Sequence, residues 1–245
     1  MLVILLPAYN EAASIVALLD RIRESLEGME YHVVVVDDGS NDGTDKLVES
    51  QSTRMSLTLL KHSANQGLGR GINTGLGYVC SHWEDSDLLV TMDADNTHDP
   101  ALIHDMLREI ASEADIVIAS RFVGNATQIG VPPYRRVLST GAKVLLKWVF
   151  PIDANDYTCG YRLYRISLIN RALKLYTPFI EANGFVVMVE ILLKLSKLHP
   201  RIVEVPLVLR YDLKGSPSKL KLLKTLLEYG KILLRFWLKP TNNRS

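Results

Sequence analysis

Cysteine is scarce in this chain. Cys80 and Cys159, the two cysteines in 245 residues, are too few for a disulfide framework, so a reducing compartment is the default. A secretory leader is missing as well. The opening "MLVILLPAYNE" meets Pro7 and Glu11 without a basic start, and so does not read as a signal peptide. No apolar run approaches the ~18 residues that a membrane span needs, so attachment to a membrane surface is the most that lipid contact can mean on this reading. Zinc-finger spacings, RNA-binding signatures and a P-loop are absent, and nucleic acid is not expected as a partner. No repeat or low-complexity segment stands out.

What remains has the composition of an ordinary globular protein, 47% hydrophobic and 22% charged. The length suits one large domain, or one domain with a small appendage. The net charge of +1 hides an asymmetry. From Lys197 to Ser245 there are 11 Lys/Arg against 3 Asp/Glu, while the preceding residues hold 17 against 24. A basic C-terminal segment on an acidic body points to an anionic surface.

The apolar pattern alternates between two periods. "LVILLPAYN", "YHVVVVDDGSNDG", "LTLLKH", "DLLVTMDAD" and "ADIVIASRF" read as strands, the valine run as one covered on both faces. Between them, "EAASIVALLDRIRESL", "TDKLVESQ", "NQGLGRGINTGLGYVCS" and "DPALIHDMLREIAS" read as helices, the last with Asp99 as N-cap and Pro100 in its first position. Strands alternating with helices predict a mostly parallel α/β sheet. Ligands then belong beyond the carboxyl ends of the strands, where Pro7–Glu11, Asp37–Asp38, Asp93–Asp95 and Ser120–Arg121 fall.

"VTMDADNTHDP" packs three acids, Asp93, Asp95 and Asp99, behind a strand. A solvated turn would account for them, and so would a divalent cation. Hard carboxylate oxygens suit Mg²⁺ or Mn²⁺, which bridge readily to phosphates. Asp37-Asp38-Gly39-Ser40 could be a turn, or a carboxylate that accepts hydrogen bonds from a base or ribose. Asp38, Ser40, Asp42, Gly43 and Glu49 imitate a calcium-loop spacing, but such a loop needs an entering helix where "VVVV" reads as a strand. "GLGRG" lacks the full dinucleotide-binding spacing. Arg121, Arg135, Arg136, Arg162, Arg165 and Arg210 lie near strand ends or loops, where several converging forks would grip a polyphosphate.

In "SKLKLLKTLLEYGKILLRFWLKP", Lys221, Lys224, Glu228, Lys231, Arg235 and Lys239 form one polar stripe and Leu, Ile, Phe and Trp fill the rest. Such a helix can lie in a membrane interface, or pack on the domain or a second subunit. "TGAKVLLKWVF", Thr140 to Phe150, could be a second interfacial helix, with core packing the expectation slightly favoured.

Taken together, "LPAYNE", "VVVVDDGSNDGT", "NQGLGRGINTGL", "MDADNTHDP", "ASRF", "YRRVLSTGAK", "DYTCGYRLYR", "VEVPL" and "GSPSKLK" resemble, in order, the motifs of inverting family 2 glycosyltransferases of GT-A fold. Within that family they are most similar to the polyprenyl-phosphate sugar synthases of the dolichyl-phosphate mannose synthase type. The resemblance implies a Rossmann-like catalytic domain over residues 1–215, followed by the basic helix and tail over 216–245. It implies that Pro7, Tyr9, Glu11, Val36 and Asp38 hold the nucleotide, with Asp93, Ala94 and Asp95 at the metal and diphosphate. Thr97 takes a metal-site position where relatives often carry Gln or Ser. Arg121, Arg135 and Ser139 match residues around the acceptor phosphate, and Asp93, Asp95, Arg121 and Arg135 would carry catalysis. Arg210 and Lys219 match basic residues of a closing C-terminal loop. That loop, "RYDLKGSPSK", is longer than the family spacing, which leaves Lys214 competing with Arg210 for one place. The transmembrane tail of some members is missing.

The implied enzyme moves one sugar from GDP-mannose or UDP-glucose to a polyprenyl phosphate, on the cytoplasmic face of a membrane. A membrane-protein partner or a second copy of the chain would be further partners. No general base stands out, and a phosphate nucleophile needs none. Asp156 is the nearest candidate, expected instead to shape the acceptor pocket. A family 2 transferase with a non-lipid acceptor and a non-catalytic nucleotide-sugar-binding module remain as alternatives.

Overall fold

A computed structural model describes residues 1–184, 186–215, 227–232 and 234. Branched residues without polar alternation build the central strands. β1 (Leu2–Ala8) leads to α1 (Ile15–Ser25), β2 (Tyr31–Asp37) to α2 (Thr44–Gln51), and β3 (Leu57–Lys61) to α3 (Leu68–His82). Val3 to Leu6 and Val33 to Val36 have no exposed surface, because successive side chains point to opposite faces and both faces are covered. α1 supplies Ile15, Leu18, Leu19 and Ile22 to that cover, at the spacing of one helical face.

β4 (Leu88–Thr91) stops just short of the acidic stretch. A 3-10 turn over Pro100–Leu102 then opens α4 (Ile103–Ala111), and the Asp99 carboxylate caps it by accepting the Ala101 N–H at 3.2 Å. The chain continues through β5 (Ile116–Ser120), β6 (Thr127–Ile129), α5 (Pro133–Val149), β7 (Arg162–Arg165), α6 (Ile166–Leu175), α7 (Val187–Ser196), β8 (Ile202–Pro206) and β9 (Val208–Arg210). Among the described residues the main sheet has the order β3-β2-β1-β4-β7-β5-β8, and β6 pairs with β9 in a separate parallel ribbon.

The mostly parallel sheet expected from the sequence forms, with β7 as its exception. β7 runs antiparallel between β4 and β5. Its sequence "RLYR" hides it, since arginine argues against a central strand. Both guanidiniums act as struts on backbone carbonyls. Arg162, fully enclosed, donates to Met188 O at 2.8 Å and Tyr157 O at 2.7 Å, and Arg165 donates to Ala114 O and Ile110 O. Neither is placed to grip a ligand phosphate.

Strand order reverses beside β1, with β2 and β3 on one side and β4 on the other. This is the switch point where ligands enter sheets of this kind. The first turn of α3 forms one wall, held against the loop before α7 by an absent side chain. A Cβ on Gly69 would lie 1.9 Å from the Ala182 carbonyl oxygen. Gly69→Ala is therefore expected to lower stability by ~1–3 kcal/mol net, because moving that backbone outweighs the ~1 kcal/mol that alanine adds to a helix interior. The urea midpoint should fall while the m-value stays constant.

Candidate active site

The acidic turn after β4 is held from outside. Arg21, reaching across from α1, donates to Asn96 Oδ1 at 2.8 Å and Asp99 Oδ1 at 3.1 Å, and its Nη1 also reaches the Asn96 and His98 carbonyls. Asn96 takes a left-handed φ of 64°, a conformation that asparagine tolerates better than most residues. His98 stacks on Tyr161 with ring centroids 5.0 Å apart and accepts the Asp93 N–H at its Nδ1, 3.3 Å away. The turn is thus a braced structure that presents Asp93 and Asp95.

These two carboxylates differ. Although half of its side chain is open, the protein crowded around the Asp93 carboxyl removes enough water to push it above the ordinary carboxylate range, with Asp95 and Glu11 adding to the rise and His98 and Lys214 opposing it. Burial would raise Asp95 too, but Lys214 and His98 outweigh it, helped by hydrogen bonds from Lys214 and Thr97, and the net shift is downward. Thr97 is turned onto Asp95: its hydroxyl donates to Oδ1 at 2.7 Å and its N–H at 3.2 Å. Lys214 Nζ forms an ion pair with Asp95 Oδ2.

The donor set fits a hard divalent ion. Nearly half of the Asp93 side chain, 49%, is exposed at the mouth of the site. The space beside it depends on Gly160, where a Cβ would come within 3.1 Å of Asp93 Oδ1. Among the described residues no three His, Cys, Asp or Glu side chains converge as a closed cage. An open carboxylate, Asp93, beside a more enclosed one, Asp95, suits an ion completed by ligand oxygens. A cavity of about 40 Å³ lies here, lined by Pro7, Thr91, Asp93, Thr158, Gly160 and Met188. A wider groove of about 590 Å³ opens at the amino ends of β2 and β3, walled by Tyr78, His82 and Trp83, and contains none of the strand-end aspartates.

Of the residues expected to hold a nucleotide, Pro7 and Tyr9 stand partly open at the end of β1. Glu11 is buried and accepts the Ser14 hydroxyl at 3.0 Å, while Ser14 also donates to the Ala94 carbonyl at 3.3 Å. Ala94 is buried beside the two aspartates, and Val36 is wholly enclosed in the sheet. Asp38 is buried and heavily engaged. Its Oδ1 accepts His62 Nδ1–H at 2.7 Å and the Gln66 N–H at 2.9 Å, and its Oδ2 accepts the Gly67 N–H at 2.8 Å. Its carboxylate therefore shapes the loop that leads into α3. His62, not singled out in the sequence, is fixed in turn by Thr74 Oγ1 at 2.9 Å.

On the opposite side, Arg121 is locked. Asp156, with no exposed surface, accepts Arg121 Nε at 2.7 Å and the Arg121 N–H at 3.0 Å on Oδ2, and Arg121 Nη2 at 2.6 Å on Oδ1. Burial would raise Asp156, but the adjacent guanidinium and several N–H donors hold it below the ordinary range. A carboxylate so engaged is not a proton acceptor in waiting. Burial also pushes the Tyr229 phenol up to about 12, against the charge of Arg121 and with that of Asp156. Tyr229 lies in a helical stretch over 227–232 and is near enough to feel both charges.

Arg135 and Lys214 flank one ring, at 5.3 Å and 5.9 Å from the centroid of Tyr211. Two cations thus meet between the acidic turn and α5. Ser139, on the next turn of α5, donates to the Arg136 carbonyl at 3.0 Å. Arg210 turns away and pairs with Asp212 at 2.8 Å within its own loop. Of the two cations competing for one place in that loop, Lys214 is the one at Asp95. Lys219 lies outside the described residues, as does most of the C-terminal stripe.

The model of the family described as glycosyl transferase family 2 matches residues 3–173. A dolichol-phosphate mannosyltransferase of Pyrococcus furiosus is 30% identical over 236 residues, covering 95% of this chain and 62% of the relative. The chain therefore spans less than two thirds of that relative's length. An undecaprenyl-phosphate mannosyltransferase of Micrococcus luteus is 32% identical over 204 residues, covering 83% of this chain and 81% of its own. Among solved structures, glucosyl-3-phosphoglycerate synthase from Mycobacterium tuberculosis in complex with Mn²⁺ and uridine-diphosphate-glucose superposes with a TM-score of 0.68 at 19% identity, covering 99% of this chain and 80% of that one. That likeness establishes the GT-A fold.

Proposed function

The chain belongs to glycosyl transferase family 2, and from that premise we propose that it transfers one sugar from a nucleotide-sugar to a polyprenyl phosphate at a membrane surface. The names of the two mannosyltransferases support that acceptor class. The observation that carries the reading in this chain is α5, which joins the site to an apolar surface. Arg135, Ser139 and the buried Leu146 share one face of the helix. Tyr134, Val137, Val144, Leu145 and Trp148 share the opposite one, with Trp148 83% exposed. Arg136, Lys143 and Lys147 run alongside that stripe, and Ile129 and Val208 of the β6–β9 ribbon are exposed as well. The core packing slightly favoured for Thr140–Phe150 is thus not what forms, since within α5 only Leu146 is buried. An apolar stripe with a basic flank and an interfacial tryptophan suits an anionic bilayer.

The chemistry follows from the charges. A phosphate monoester has its second pKa near ~6 and is largely ionised at neutral pH. One of its oxygens attacks the anomeric carbon as the bond to the nucleoside diphosphate breaks on the opposite face, which inverts the centre. A strong base is not needed, in agreement with the engaged state of Asp156. Arg135 and Arg121 hold the acceptor phosphate side, while Asp93 and Asp95 face the departing diphosphate. A divalent ion held by Asp93 and Asp95, Mg²⁺ or Mn²⁺, would supply neutralisation of the leaving diphosphate.

The direct test is transfer of radiolabel from GDP-mannose or UDP-glucose, in parallel, to an organic-extractable polyprenyl product. Label in the organic phase, lost with chelator, supports the reading and names the donor. Donor hydrolysis without transfer would retain the family and overturn the acceptor class. Membrane docking is tested separately. Val144→Asp combined with Trp148→Ala should leave unfolding unchanged, as both residues are exposed, yet lower binding to anionic vesicles by at least about tenfold.

A further inference from the structure

Asp95 already has a cation. Its Oδ1 is taken by Thr97, and the remaining oxygen, Oδ2, is covered by Lys214, with both side chains only 13% exposed. The loop that brings the lysine in is tied to the acidic turn itself, because the Arg210 N–H donates to the Thr97 carbonyl at 2.9 Å. At its far end Gly215 is pressed against Ala13, where an added Cβ would approach within 3.1 Å. The loop is therefore laid across the mouth of the site and does not depend on the lysine to stay there. A lysine ammonium is a compact charge on a flexible stem, and can leave Asp95 without its backbone moving.

Resting on the metal reading of Asp93 and Asp95, we propose that Lys214 is a tethered cation that competes with the divalent ion for Asp95 and yields when a nucleoside diphosphate brings enough negative charge to hold both. The basis is charge balance. A dication and an ammonium on one partly buried carboxylate repel each other strongly. A diphosphate offers the ammonium a second anionic partner, so ion and nucleotide strengthen each other's binding. The coupling keeps the acidic turn neutralised between turnovers and disfavours uptake of metal alone.

The test is Mn²⁺ binding to the full chain, followed by electron paramagnetic resonance of the free ion, first without nucleotide. Lys214→Met should bind Mn²⁺ roughly tenfold more tightly than the parent. Lys214→Arg, which keeps the charge, should stay within about twofold of it. So should Lys61→Met, which removes a surface charge paired with Asp45 and Glu49. Adding UDP or GDP should tighten Mn²⁺ more in the parent than in Lys214→Met. Lys214→Gln replaces the methionine variant if circular dichroism shows that one to be misfolded. Equal or weaker Mn²⁺ binding by the neutral variants, with Asp95-dependent binding intact in the parent, overturns the role of Lys214 alone. Failure of the parent to bind Mn²⁺ with or without nucleotide, or binding that survives Asp95→Asn, overturns the metal reading and this proposal with it.

Discussion

Asp95→Asn is expected to reduce sugar transfer by roughly 10³-fold while changing stability by less than about 1 kcal/mol. On the proposed reaction the rate loss follows from the leaving group, a diphosphate on which negative charge builds as the sugar departs. Removing several kcal/mol of charge stabilisation at that point, ~4, amounts to about three decades in rate. The small stability change follows from the turn. Asparagine has nearly the same shape, and its Oδ1 can still accept the Thr97 hydroxyl and N–H that now reach Asp95 at 2.7 and 3.2 Å. Arg21 braces the turn independently through Asn96 and Asp99. What the variant loses is the ion pair with Lys214, whose ammonium sits on a flexible stem and can turn to solvent, as the locked Arg121 cannot. Transfer assays beside urea unfolding separate the two effects. A variant that retains more than a tenth of the parent rate would remove Asp95 from the chemistry.

Legibility in the sequence tracked the local physics. β1 to β5 could be read because short runs of branched apolar residues set between helical patterns have few other readings, and Asp99-Pro100 announced its helix start in full. β7 could not be read, because the full burial of Arg162 and the half-buried place of Arg165 depend on carbonyls contributed by the loop at Tyr157, by Met188 and by the end of α4. The same holds within the site. Asp93 and Asp95 stood out by type and spacing. The assignment of Lys214 over Arg210 required the loop path that pairs Arg210 with Asp212 and sends the lysine to Asp95. The exposure of α5 was illegible for a related reason. An amphipathic helix shows its stripe to any reader, but whether the stripe faces the core or the solvent depends on which side meets Leu146 and Arg135.

Asp156→Asn is expected to cost ~3–5 kcal/mol at neutral pH, the largest stability effect among the site residues. The carboxylate is fully enclosed and its partner Arg121 is 17% exposed in its side chain, so loss of the negative charge leaves a guanidinium in a poorly solvated place. The amide brings a second cost. With the NH₂ in place of Oδ1, the backbone N–H groups of Thr158 and Cys159, now at 3.2 and 3.0 Å, lose their acceptor, and with it in place of Oδ2 the Arg121 N–H at 3.0 Å does. The pH dependence has a fixed sign. Because the folded-state pKa of Asp156 is depressed, its contribution is fully present above the unfolded carboxylate value of ~3.9 and is lost as pH falls through the lower folded value. The gap between parent and variant in urea unfolding should therefore be constant near neutrality and close only in acid. Pairing Asp156→Asn with Arg121→Met should recover part of the stability, since the stranded charge is gone, while transfer stays low on the proposed reading, in which that guanidinium holds the acceptor phosphate. Recovery of stability and transfer together would show that Arg121 serves only the fold, and would move the acceptor phosphate to Arg135 alone.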